Sequence, residues 1–438
     1  MRYKGLGGSA GLLLLLGSAA GLAAAPPPAA ALALSFDEAI TLADRAPAVT
    51  AAQRSARVKR QLDARISRQP YNPQLGLQLG YRRELVEAGA DAVVSVAQGF
   101  NLDGYGAARL RSAHAEEATL DAEAAAARLR QRLLSARSWT VLWGATTAQR
   151  EAAIEVDLMS EFLARIERGA QAGAYIQVDV TEARAYLAEA RLQALTVEGE
   201  VFELGLELAR SVGRAADLPL APDGPLPEPV LPALSTAVRD HLLALAGELP
   251  EPRARRLLSE GERLRAAETR AQRGTQLALG AQWVHEPSAP STILGTLTLQ
   301  LPVFDHGERE RADALASAER LHGAAADALL SARTELVAAL HELEHSREIW
   351  EHLTDSMLPA SETNLRLRER LLQAGEGTVL EVLLARRSLA AIRGRAARAR
   401  AALSFARYKL WLYSQQLGIT DATLTGDKSP SEGPDERR

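Results

Sequence analysis

Cysteine is absent from all 438 residues. That excludes disulfides, thiolate metal sites, nucleophilic thiols and a lipidated cysteine at a mature N-terminus. Lysine is scarce, four of the 51 basic residues, which reads as codon bias rather than chemistry. The formal net charge of −4 leaves no basic excess for a nucleic-acid surface. Beyond the N-terminus no segment carries 18 consecutive apolar residues, so no transmembrane helix is expected.

The N-terminus itself has Arg2 and Lys4, then the apolar run Leu12 to Leu16, then small residues. This is the pattern of a secretory signal peptide. Pro26 blocks cleavage directly before it, which places the cut at Ala24 or, through Ala31-Leu32-Ala33, near Leu34. The expected organisation is a signal peptide over 1–33, a first repeat over 34–212, a Pro-rich linker over 213–234, a second repeat over 235–418 and a disordered tail over 419–438.

The repeat is the dominant internal signal. Gln171-Ala172-Gly173 precedes an apolar seam through Val180, Ala183, Leu187 and Leu208, and Gln373-Ala374-Gly375 precedes its counterpart through Val382, Ala385, Leu389 and Leu410. The offset from Gly173 to Gly375 is 202 residues. A unit this long is two equivalent halves of one fold rather than a solenoid repeat.

Each half carries two stretches of period-2 alternation, the mark of strands. In the first half Leu75, Leu77, Leu79 and Tyr81 alternate with Gln74, Gly76, Gln78 and Gly80, and a second strand is expected over 92–102. In the second half Leu277, Leu279, Ala281 and Trp283 alternate with Gln276, Ala278, Gly280 and Gln282, followed by a strand over 292–301. At roughly 10 residues each, such strands are long enough to cross a bilayer when tilted. Four strands cannot close a barrel, and open edges in lipid leave backbone groups unsatisfied, so lipid-facing strands require several chains to share one barrel. A small soluble sheet packed on a helix is the other reading.

After each second strand comes a helical stretch, 106–168 and 307–372, interrupted by proline only at Pro359. About 60 residues at 1.5 Å per residue give a rod of about 90 Å. A rod that long implies coiled-coil packing. It turns at Gly173 or Gly375 and returns along the Ala-rich seam. Shorter helices are expected over 36–68 and 234–273, and Pro219 to Pro232 reads as a linker.

The ordered combination of Leu34-Ser35-Phe36-Asp37-Glu38-Ala39-Ile40, the strand exit Leu301-Pro302-Val303-Phe304-Asp305-His306-Gly307 and two Gly-centred turns, each followed by a long Ala-rich helix, resembles the TolC-type outer-membrane efflux protein family. The resemblance covers 34–418. The first half departs from it with Phe100-Asn101-Leu102-Asp103-Gly104 in place of the Pro-containing exit. The resemblance implies a mainly α chain with a small membrane β-sheet, long α-helical hairpins and four strands per chain, assembling as a homotrimer with a 12-stranded β-barrel and a periplasmic α-barrel. It implies a passive exit duct in the outer membrane of a Gram-negative bacterium, without cofactor, metal or catalytic residue. The implied partners are a periplasmic adaptor, an inner-membrane transporter and outer-membrane lipid. The adaptor would meet the tips Ala172, Gly173, Ala174, Ala374, Gly375, Glu376 and Gly377. Asp179 and Glu381 are repeat equivalents just beyond the turn glycines, and Glu381 matches the position of the acidic periplasmic constriction. A solvated helix face is the alternative for these acids, and a periplasmic coiled-coil scaffold outside any membrane is the alternative for the chain.

His341-Glu342-Leu343-Glu344-His345 matches H-E-x-x-H, which on a helix sets two imidazoles one turn apart for zinc with a glutamate as general base. Counted back from the turn glycines, the pair falls opposite Trp139 and Trp143. That favours core or interface histidines over a zinc metalloprotease.

Overall fold

The computed structural model describes residues 32–66, 72–83, 88–215, 218–286 and 289–419. The proposed cut at Ala24 and nearly all of the expected tail lie outside them, while the alternative cut near Leu34 falls within β1. In chain order the elements are β1 (Leu32–Ser35), α1 (Phe36–Ala43), α2 (Pro47–Ile66), β2 (Gln74–Arg83), β3 (Ala88–Asn101), α3 (Tyr105–Gln171), α4 (Gln177–Ser211), β4 (Leu220–Asp223), α5 (Thr236–Ala244), α6 (Pro250–Gln272), β5 (Gln276–Glu286), β6 (Ala289–Gln300), α7 (Glu308–Glu351), α8 (Leu358–Gln373) and α9 (Val379–Gln416). The 67 residues of α3 make a rod of about 100 Å.

The two hairpins form one antiparallel sheet in the order β2-β3-β5-β6. Its register puts Leu77 opposite Val94, Val94 opposite Trp283 and Trp283 opposite Ile293. Large apolar side chains from all four strands therefore share a face, because residues opposite each other point the same way. The other face carries Gly76, Gln78, Ser95, Gly280, Gln282 and Thr296. Glycine is required there: a Cβ at Gly280 would stand 2.7 Å from Thr296 Oγ1 and 2.8 Å from the Val96 carbonyl oxygen. The outer strands β2 and β6 each leave one edge open.

Three features depart from the sequence reading. The Pro-rich segment is not only a linker, since β4 within it pairs in parallel with β1, Leu32 to Leu220 through Ser35 to Asp223. The helix expected over 36–68 breaks before Pro47. The residues between fold back on the long helix, where Asp44 accepts from Arg132 Nε and Nη2 at 2.7 and 2.6 Å. A core forms here: the buried Trp139 indole donates to the Leu34 carbonyl at 2.8 Å, and Phe36 meets Trp139 and Tyr408 edge-on at 5.3 and 4.9 Å.

The third departure is a π-helical turn at His352–Met357 between α7 and α8. Pro359 stands just beyond it; its ring cannot sit over the carbonyl four residues back in a regular helix, and the wider turn relieves that clash. A π turn holds one extra residue, so it shifts the repeat register. Leu208 shares a buried cluster with Trp139 and Leu142, while its mate Leu410 packs with Leu340 and Leu343. The offset is 202 on the return helices and 201 on this part of the outgoing ones. His341 and His345 thus occupy the places of Thr140 and Gly144, not of Trp139 and Trp143. One residue of helix turns a side chain by about 100°; both histidines are exposed, whereas Thr140 and Gly144 are buried, Gly144 against Ala401 of α9.

Candidate functional site

The two helical tips are built alike. Gly173 and Gly375 have φ of 79° and 76°, the left-handed region that glycine enters without steric cost. At the first tip the Gly173 and Ala174 amides donate to the carbonyls of Ala170 and Gly169 at 3.0 and 2.8 Å; at the second the Gly375 and Glu376 amides donate to Leu372 and Leu371 at 3.1 and 2.9 Å. This is the Schellman closure of a helix end, which satisfies carbonyls that the ended helix leaves free.

The return helices then start on acids. The Ile176 amide donates to Asp179 Oδ2 at 2.9 Å, and the Thr378 amide donates to Glu381 Oε2 at 3.2 Å while Thr378 Oγ1 accepts from the Glu381 amide at 3.2 Å. Both acids therefore cap the positive end of a helix. Glu381 is also tied across the hairpin to Arg368 Nη1 at 2.9 Å, with about 40% of each side chain exposed. Its charge at the tip mouth is thus balanced within the chain.

Sequence reading missed a duplicated ion pair one turn further in. Arg184 meets Glu167 at 2.6 Å and Arg386 meets Glu369 at 2.5 Å. These are the same two positions at the 202-residue offset, and opposite charges recurring at that offset were a readable signal. Arg386 is the more enclosed, 12% exposed, with its guanidinium 5.3 Å from the Phe162 ring centre, a cation–π distance. The tips are bound to each other by a buried cluster of Phe162, Ile166, Val180, Val379, Val382 and Leu383.

Above this cluster a cavity of about 380 Å³ opens between α3, α4 and α9, lined by Glu155, Tyr186, Glu189, Arg387, Arg395 and Arg398 among others. Burial pushes the Glu155 carboxyl above its usual range, and nearby Arg386 and Arg393 oppose that shift.

The histidine motif does not assemble hydrolytic chemistry. Glu342, the residue that would serve as base, accepts from Lys409 Nζ at 2.9 Å, and Glu344 is paired with Arg239. The His341 and His345 rings lie parallel, 5.7 Å apart. Among the described residues no group of three or more His, Asp or Glu is placed to hold a metal ion.

At the opposite end the apolar sheet face is bare. Leu75, Leu77, Leu79 and Tyr81 are 69 to 80% exposed, and Ile293, Leu297 and Leu299 55 to 76%. An exposed apolar patch spanning four strands marks contact with lipid or protein. No described helix is long and apolar enough to cross a membrane.

No family model and no curated protein matches the sequence. Solved structures do. The outer membrane protein VceC from Vibrio cholerae is 18% identical over 88% of this chain and 96% of its own, with a TM-score of 0.66. CusC, described in terms of transmembrane channel formation, is 16% identical over 88% and 92%, with a TM-score of 0.68. The CmeC outer membrane channel of Campylobacter jejuni is 13% identical over 89% and 88%, with a TM-score of 0.67. Over nearly nine-tenths of its length, the chain has the fold of these membrane proteins.

Proposed function

We propose that the chain is the outer-membrane exit duct of a tripartite efflux or secretion system, a passive conduit formed by a homotrimer. The observation that carries this is the sheet: four strands of 10 to 14 residues, with one continuous apolar face exposed and two edges open. In lipid an open edge leaves backbone donors and acceptors unsatisfied, so three copies closing edge to edge into 12 strands supply what one chain lacks. The small face, with its glycines, glutamines and threonines, then lines the pore. The helical hairpins form the periplasmic wall.

The fold shared with outer-membrane channels supports this reading, as does the secretory signal pattern before Leu32. On it, the tips around Ala172-Gly173-Ala174 and Ala374-Gly375-Glu376-Gly377 meet a periplasmic adaptor that links the duct to an inner-membrane transporter. Glu381 and Asp179 stand at the periplasmic mouth, where Glu381 bears on the passing ions. Fractionation tests the core of the proposal. The protein should appear in the outer membrane as a trimer that dissociates on heating in detergent, and should conduct ions in planar bilayers. A stable monomer found without detergent in the periplasm would establish the coiled-coil scaffold instead.

A further inference from the structure

Glycine at position 199 has no local explanation. It lies in the middle of α4 on an exposed face, and a Cβ added there would meet nothing within 4 Å. Mid-helix glycine costs about 1 kcal/mol relative to alanine, so an open surface gives no reason to keep it. It falls in a stripe, Leu192, Leu195, Gly199, Phe202, whose 3-4-3 spacing is that of a packed helical seam. Leu192, Leu195 and Phe202 are 52 to 65% exposed.

The repeat shows what such a stripe meets. At the 202-residue offset, Leu195 and Gly199 are the mates of Ala397 and Ala401 on α9. Those two residues pack on α3: Ala148 and Ala397 share a buried cluster, and a Cβ at Gly144 would stand 2.9 Å from the Ala401 Cβ. On the outgoing helix the offset is 201, so Gly144 and Ala148 correspond to His345 and Ile349 on α7. Ile349 is 41% exposed and Val337, about three turns earlier, 52%. Within the chain α4 packs on α3 and α9, and α7 on α6 and α9. Among the described residues the extensive α3–α9 contact has no comparable internal twin between α7 and α4.

We propose that a second copy of the chain provides it: α7 of one copy packs on α4 of the next, with His345 seated over Gly199 and Ile349 against Leu195. The residue sizes agree. Inside the chain glycine on the outgoing helix faces alanine on the return helix; at the seam a large outgoing residue faces glycine. The inference rests on the trimer reading and assigns the H-E-x-x-H segment a place in assembly, with His345 as a knob between copies rather than a metal ligand.

The cysteine-free chain makes the test direct. In His345→Cys/Gly199→Cys, oxidation in native membranes should link copies into dimers and trimers on a non-reducing gel, since a disulfide forms only where Cα atoms approach within about 7 Å. His345→Cys paired with Glu182→Cys, about 25 Å further along α4, should not link. Gly199→Leu should lower the temperature at which the trimer dissociates, and the double variant His345→Gly/Gly199→Ala, which copies the Gly144–Ala401 pairing, should restore it. A heat-modifiable outer-membrane trimer that gives no crosslink, or a Gly199→Leu trimer as heat-stable as the parent, overturns the seam alone. A chain that forms no trimer overturns both the seam and the exit-duct reading.

Discussion

Replacing Leu279 by arginine separates a lipid-facing sheet from a soluble one. Leu279 lies inside β5, opposite Gln98 on one side and Leu297 on the other, and is 50% exposed on the apolar face. On a soluble surface the change costs the Leu279–Leu297 cross-strand pair, about 0.2 to 1 kcal/mol. Near a bilayer midplane, arginine on the lipid face costs about 2 to 4 kcal/mol per chain. The lipid term exceeds the pair term several-fold, and three chains per trimer bring it to about 6 to 12 kcal/mol, provided the sites act independently. The assay is the denaturant midpoint of the trimer reconstituted in vesicles, with Gln282→Arg on the small face as the paired control. Leu279→Arg should lower the midpoint strongly, or prevent insertion, while Gln282→Arg should change it little, because on this reading its side chain, on the opposite face of the sheet, would enter the lumen. Equal effects from the two substitutions, or a loss of under 1 kcal/mol at Leu279, would refute the assignment of the apolar face to lipid.

At the tips, Gly375→Ala must hold a Cβ in the left-handed region at a cost of about 1 to 2 kcal/mol; faster amide exchange confined to 369–383, with trimer stability kept, is the expected result. Glu381→Gln retains an oxygen to accept the Thr378 amide but loses the charge facing Arg368, so single-channel recordings should show reduced cation selectivity with trimer formation unchanged; unaltered selectivity would put the constriction elsewhere. For Glu155 the folded state raises the pKa, so ionisation opposes folding. The penalty is complete above the folded pKa and vanishes below the ordinary carboxylate range. Glu155→Gln should therefore raise the melting temperature at pH 7 and give no gain at pH 3; a loss at pH 7 would show that the arginines outweigh burial.

Much of this molecule is written in local periodicity. The alternation at Leu75–Tyr81 and Leu277–Trp283 gave the strands, because a period of 2 is a property of extended backbone whatever surrounds it. Gly173 and Gly375 marked the tips, because a helix end that needs positive φ selects glycine. The duplication announced two equivalent halves. The pairing of β3 with β5, which joins the halves into one sheet, was not legible, since no residue in either strand names its partner across 175 or more positions. Nor was β4, four residues in a proline-rich run, whose pairing with β1 depends on the chain returning past Leu34. The ion pairs Glu167–Arg184 and Glu369–Arg386 were present as recurring charges, but only the hairpin brings them within hydrogen-bonding distance. The one-residue step at His352–Met357 shows the limit most clearly. Counting residues put the histidines on the tryptophan face of the helix, and a single π turn rotates them onto the face that carries Thr140 and Gly144 in the first half, because hydrogen-bond geometry rather than sequence spacing decides where a helical side chain points.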